Sequence, residues 1–215
     1  VTRIHPVVKR LWALVTATQL RRGWPRLRDM GPFTVPRGGQ RAAFVARDNF
    51  RHRRDIEEAY LAAIGRARSE ILIANSYFFP GQSFRRALTA AAGRGVRVAL
   101  LLQGRVEYAL LHYASRALYG SFLDAGIEIH EYHKSFLHAK VAVIDRQWAT
   151  VGSSNIDPFS LLLAREANVV IQDDGFAGEL RASLVKAMAE GATQLKRESW
   201  KEQPYTLRTA TWVSY

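Results

Sequence analysis

Through the middle of the chain, apolar runs of strand length alternate with helical repeats, and this alternation limits the fold more than any single residue does. Residues 53–67 put Ile56, Tyr60, Leu61 and Ile64 on one helical face. Residues 70–78 (EILIANSYF), with the apolar run Ile71 to Ala74 at their centre, are closed by Pro80-Gly81 and predict a buried strand. A helix over 83–93, a strand over 96–102, a helix over 107–124 and a strand over 127–132 follow, each helix closed by a glycine. Two strands over 139–144 and 148–151 are joined by a turn at Asp145-Arg146-Gln147. A strand over 167–172 and a helix over 176–190 complete the pattern. The order predicts an α/β fold, a mixed β-sheet sandwiched between helices, with no internal repeat.

Upstream the pattern changes. Residues 1–23 predict a basic amphipathic helix, with Ile4, Val7, Val8, Leu11, Leu14 and Val15 at helical spacing and Lys9, Arg10, Arg21 and Arg22 around them. Trp12 and Trp24 suit a membrane interface, so the helix fits an anionic bilayer or a docking site on protein. Residues 24–41 carry Pro25, Pro32, Pro36, Gly31, Gly38 and Gly39, which is linker chemistry. The expected division is therefore 1–41, helix and linker, and 42–215, a globular body.

The chain has 31 Lys and Arg against 19 Asp and Glu, a net charge of +12. Such a field draws phosphate-bearing partners, either anionic lipid head groups or nucleic acid, and charge alone does not separate the two from each other or from a solvated basic surface. There are no cysteines, which excludes disulfides and thiolate metal sites. No apolar run approaches the roughly 20 residues needed to span a bilayer.

The chemistry concentrates in one place. His138-Ala139-Lys140 is followed by Asp145 and then by Gly152-Ser153-Ser154-Asn155. On a strand, His138 and Lys140 share a face, and Ser153 and Asn155 leave the next strand at the same sheet end. Lys140 can neutralise a phosphate oxygen while Ser153 and Asn155 hydrogen-bond the others. His138 can attack phosphorus or give a proton to a leaving oxygen. Asp145 lies an odd number of residues from His138 and falls on the turn, which favours a turn-forming role. Glu166, at the start of the next strand, is the better partner for the imidazole.

The spacing His-x-Lys, four residues, Asp, six residues, Gly-Ser-x-Asn resembles the HKD motif of the phospholipase D superfamily, met at His138, Lys140, Asp145, Gly152, Ser153 and Asn155. The segments Asn75-Ser76-Tyr77-Phe78-Phe79-Pro80-Gly81, Leu137 to Asp145, Thr150 to Pro158 and Glu166-Ala167-Asn168-Val169 look like bacterial cardiolipin synthases, over residues 42–190. The resemblance places Asp145 in the catalytic set and implies a phosphatidyltransferase that works through a phosphohistidine. Two motifs build one such active site, one histidine acting as nucleophile and the other as general acid and base. This chain has one His-x-Lys and looks like the second half, so a missing half or a second copy is expected to supply the other imidazole.

Pairing in a two-motif parent makes His138 the acid and base; pairing with a copy allows it to be the nucleophile. Tyr77, Phe78 and Phe79 are expected near the site, on the lipid side or in the core, and His130 and His133 at its rim. A phospholipid such as phosphatidylglycerol is the expected substrate, on the cytoplasmic side of a bacterial inner membrane and bound peripherally. No metal or organic cofactor is implied, since Lys140 and the paired imidazoles cover those roles. A hydrolytic phospholipase D uses the same chemistry, as does a dimeric one-motif nuclease, for which nucleic acid is the partner. An inert half-domain acting as a scaffold is the non-enzyme alternative.

Overall fold

The computed structural model describes Lys9 and residues 39–48, 52–107 and 109–201. The expected helix over 1–23, Lys9 apart, and the expected linker up to residue 38 lie outside the described residues. In chain order the elements are β1 Arg41–Arg47, α1 Asp55–Arg66, β2 Glu70–Asn75, α2 Gln82–Gly93, β3 Arg97–Gln103, α3 Ala109–Ala117 and α4 Tyr119–Asp124. They continue with β4 Glu128–Tyr132, β5 Lys140–Ile144, β6 Trp148–Gly152, α5 Pro158–Leu162, β7 Glu166–Gln172, α6 Asp174–Gly191, β8 Ala192–Gln194 and α7 Arg197–Lys201.

The strands form one eight-stranded mixed sheet in the order β1-β7-β6-β5-β2-β3-β4-β8. β2, β3 and β4 run parallel, and β5, β6 and β7 alternate in direction beside them. The carboxyl ends of β2, β3, β4 and β6 therefore share one edge, the upper end of the sheet, with the amino ends of β5 and β7.

β2 is buried along its whole length and β3 nearly so, because helices cover both faces and each side chain meets a core. Alternate residues divide between two clusters. Ile71, Ile73, Val98, Leu100, Ala142 and Ile144 pack under α1, α2 and α4, through Tyr60, Ile64, Phe84, Leu88 and Phe122. Leu72, Ala74, Ala99, Leu101, Val143 and Ala149 face α6, through Ala177, Leu184 and Met188. This is the α/β/α arrangement expected from the alternation.

Three differences from the sequence reading have local causes. The expected helix over 107–124 is broken into α3 and α4 at Leu118, whose amide bonds the Ser115 carbonyl at 3.1 Å in a tighter turn. That turn brings Leu118, Tyr119 and Phe122 into the core together. β1 is not expected from the sequence: in RAAFVAR only Phe44 and Val45 are large apolar residues, and its order comes from pairing with β7 along its full length. Arg41, expected in the linker, is its first residue. The short α5, β8 and α7 fall below the length at which periodicity is readable.

At the lower end, the β5–β6 hairpin turns through Asp145 and Arg146, both with positive φ (52° and 57°). The Asp145 carboxylate accepts from the amides of Arg68, Ser69 and Glu70 at 2.8, 2.8 and 3.0 Å and from the Ser69 hydroxyl at 2.8 Å. It thus ties the entrance of β2 to the end of β5. Burial opposes its charge, but the amides of Glu70, Ser69 and Arg68 and the Ser69 hydroxyl outweigh that and hold the carboxyl below its ordinary range. A depressed folded pKa gives stability that is present above the unfolded value, near about 3.9, and is lost as pH falls through the folded one. Asp145→Asn is expected to cost about 1–3 kcal/mol at neutral pH. Urea unfolding checks this: the gap between the two proteins starts to narrow below about pH 4 and closes as pH falls through the folded pKa, and a gap independent of pH contradicts the assignment.

Candidate active site

Lys140 is the first residue of β5 and pairs with Asn75, the last of β2. It is 7% exposed, and its Nζ donates to Ser76 Oγ at 3.2 Å and to the His138 carbonyl at 3.5 Å. Ser76 is fixed in turn, its amide and hydroxyl donating to the Ala139 carbonyl at 3.1 and 3.2 Å. Burial pushes the Lys140 ammonium below the usual lysine range, against the pull of Glu166, Glu107 and Asp157. Those carboxylates come from three separate parts of the chain and converge on one cation.

His138 is not on the strand. It stands before β5 in the 133–139 loop, exposed, and its ring has no hydrogen-bond partner among the described residues. Lys140 thus lies at the base of the site and His138 at its mouth.

The β6–β7 pair supplies the rest. The Ser153 amide bonds the Ala167 carbonyl at 3.0 Å, and the Ala167 amide donates to Ser153 Oγ at 3.1 Å. The Ser153 hydroxyl donates to the Glu166 carboxylate in a short hydrogen bond. The carboxylate expected to orient His138 is therefore held by Ser153, because Glu166 and Ser153 flank the same end of the β6–β7 ladder. Asn155 carries a buried side-chain oxygen without a partner among the described residues, as does the side-chain nitrogen of Asn75. Buried polar atoms left open in this way mark a place for a ligand or water.

Gly152 has a steric cause. A Cβ there would collide with Asn168 Oδ1 and stand 2.6 Å from the Ala167 carbonyl oxygen. Asn168, almost fully buried, accepts from the Ser154 amide at 3.4 Å and donates to Thr150 Oγ1 at 3.2 Å. Asp157 accepts from the Ser160 amide at 3.0 Å and caps α5, with Pro158 at its first position.

The structure thus brings Lys140, Ser153, Asn155 and Glu166 to one end of the sheet with His138. Asp145, counted with the catalytic set on its place in the motif, does not join them. It stands at the far end of β5 with its carboxylate committed to backbone amides.

Tyr77 is at the upper end, its hydroxyl donating to Glu107. Phe78 is not on a lipid-facing surface: it is buried in the core, its ring 5.9 Å from Phe122 and 6.4 Å from Phe84. Phe79 packs partly buried against the same cluster. His130 turns away from the rim toward Glu128 at the lower end, 3.3 Å away. His133 is at the upper end, packed against Gly104, where a Cβ would collide with its ring.

Ser76, Asn75 and Asn168 join the site without standing out in the sequence as site residues. For Asn75 and Ser76 the signal is a polar side chain where an apolar run ends; Asn168, third in β7, is placed only by its pairing with Gly152. His112 is half-buried beside Tyr77 and Glu107; burial, with Arg116 and His133 nearby, pushes it down to about 4, so it is neutral at physiological pH.

Residues 60–188 match the family described as "Cardiolipin synthase, PLD-like domain". Cardiolipin synthase B of Escherichia coli (strain K12) is 43% identical over 185 residues, 84% of this chain and 45% of that protein. The chain thus spans about half the length of the curated relatives it matches. Among solved structures, the phospholipase D family member Nuc from Salmonella typhimurium superposes with a TM-score of 0.61 at 19% identity, over 73% of this chain and 99% of that one. The phosphatidylserine synthase of Haemophilus influenzae Rd KW20 does so at 0.64 and 11%, over 78% of this chain and 43% of that one. At those identities the likeness shows the fold.

Gly152→Ala is expected to cost about 1–3 kcal/mol, because the new methyl meets backbone as well as Asn168. Thermal unfolding checks this, and an unchanged melting temperature would show that the β6–β7 approach is not the reason for the glycine.

Proposed function

We infer a phosphatidyltransferase half-site from the premise that the chain belongs to the cardiolipin synthase, PLD-like domain family. The reading is carried by the convergence of Lys140, Ser153, Asn155 and Glu166 around an exposed His138. Lys140, backed by Ser76, takes a phosphate oxygen, and the open Oδ1 of Asn155 is placed to accept a hydrogen bond from a lipid hydroxyl. An imidazole nitrogen attacks phosphorus, and the P–O bond to the leaving alcohol breaks as a second imidazole gives that oxygen its proton. The hydroxyl of an acceptor lipid then attacks phosphorus and passes its proton to the second imidazole, and the P–N bond breaks. The product is a lipid with two phosphatidyl groups on one glycerol, a cardiolipin.

His138 is one of those two imidazoles. The sequence holds a single His-x-Lys, the His138 ring is exposed with no partner among the described residues, and the chain covers under half of its relative. Each of these supports a second half, from a longer parent or from a copy of this chain. Among the described residues no helix is long and apolar enough to cross a membrane. By its likeness to cardiolipin synthase B, the enzyme is read as a peripheral one, working on the cytoplasmic face of a bacterial inner membrane.

Incubation of the complete parent, or of a dimer of this chain, with phosphatidylglycerol vesicles is expected to yield cardiolipin by mass spectrometry. His138→Ala is expected to lower the rate by about 10²–10⁴-fold or more. Absence of cardiolipin, together with nucleic-acid cleavage that the same variant loses, would replace this reading with the nuclease one.

A further inference from the structure

We propose that the loops ringing His138 form a docking surface for an anionic phospholipid bilayer, with Val106, Phe136 and Leu163 entering the lipid. This rests on the lipid reading of the site and specifies how the site meets its substrate. Large apolar side chains that stand in solvent are few among the described residues, and the three most exposed are Leu163 at 62%, Phe136 at 58% and Val106 at 53%. They come from separate parts of the chain. Val106 follows β3, Phe136 lies between β4 and β5, and Leu163 lies between α5 and β7. All three connections open at the upper end. β7 and β3 are separated by β6, β5 and β2, so at about 4.8 Å per strand the tips span roughly 19 Å, with Lys140 between them.

The cations are placed with them. Arg105 and Lys134 are exposed on the same two loops as Val106 and Phe136, and Arg165 follows Leu163 by two residues. Arg105 also braces its neighbour: it donates to the His133 and Lys134 carbonyls at 2.8 and 3.2 Å, and its guanidinium lies 5.6 Å from the Phe136 ring centroid. The Phe136 loop is thereby held with its ring outward. The exposed acids at this end are partnered, Glu107 by Tyr77 and Glu190 by Lys134 and Lys186.

Single apolar wedges flanked by cations fit a bilayer interface, where the side chains reach the acyl boundary and the cations meet lipid phosphates. A protein–protein contact of comparable span asks for a contiguous apolar centre with charge at its edge, and here the cations stand between the wedges. Phe136 is two residues from His138. Seating its ring in the acyl boundary brings His138 and Lys140 to the depth of the phosphates on which they act.

The absence of cysteine makes the test direct. Phe136→Cys, Leu163→Cys and Gln147→Cys in the full chain each carry one environment-sensitive fluorophore. Gln147 is exposed on the hairpin at the opposite end of the sheet and serves as the reference. With vesicles containing phosphatidylglycerol, the probes at 136 and 163 are expected to brighten, shift to the blue and be quenched by nitroxides on the acyl chains. The probe at 147 stays in water. Neutral phosphatidylcholine vesicles should give a much smaller response.

If the 136 and 163 probes behave like the 147 probe on phosphatidylglycerol vesicles, the proposal fails, even if residues 1–23 carry the chain to the membrane. Shielding of both probes without vesicles, in a chain that sediments as a dimer, assigns the surface to a second copy and also overturns it. Lipid insertion without phosphatidyl transfer leaves the docking surface standing and removes the enzymatic reading; transfer with the probes in water does the reverse.

Discussion

The buried ammonium of Lys140 is the constraint around which the upper end of the molecule is arranged. A cation at 7% exposure must be compensated, and the chain does so from several directions. Ser76 and the His138 carbonyl accept its hydrogen bonds, while Glu166, Glu107 and Asp157 set a negative field around it. Ser76 and the three carboxylates come from the end of β2, the loop after β3, the loop before α5 and the start of β7. One charge thus ties together four connections that have no sequence proximity. The same desolvation makes Lys140 strong toward a phosphate oxygen, because its attraction is not spent on bulk water.

β5 is short, and its two ends do different work. At the lower end Asp145 holds the amides that open β2; at the upper end Lys140 faces Asn75. The register between them decides the site. A slip of one residue would turn Lys140 to the α6 face and put Val141 in its place at the upper end. The carboxylate of the motif therefore bears on the upper end through strand register, whereas His138 and Lys140 stand at that end themselves. Gly152 serves the same ladder from β6, where it lets Asn168 come close enough to hold the Ser154 amide.

Much of this is legible in the sequence, and the exceptions are physical. Strands buried on both faces, such as 70–75 and 97–103, announce themselves because nearly every side chain is apolar. The motif residues are readable from spacing, and parity with the turn points to the separate role of Asp145. β1 is not readable, since an edge strand takes its order from its neighbour more than from its own composition. The engagement of Glu166 with Ser153 is not readable either, since both stand at the mouth of the β6–β7 ladder and only the pairing register brings them together. Phe78 and Tyr77 are adjacent in sequence yet divide between core and site, because the chain leaves the sheet at Ser76.

The central claim is that His138 and Lys140 form half of a site that passes a phosphatidyl group through a histidine. Acid-free quenching of the complete parent during turnover on phosphatidylglycerol, followed by peptide mass spectrometry, tests it most directly. The account predicts a phosphatidyl adduct on histidine; His138→Ala abolishes it if His138 attacks, and slows both its formation and its decay if His138 is the acid and base. Turnover without any histidine adduct, or an adduct that forms and decays in His138→Ala at unaltered rates, would contradict it.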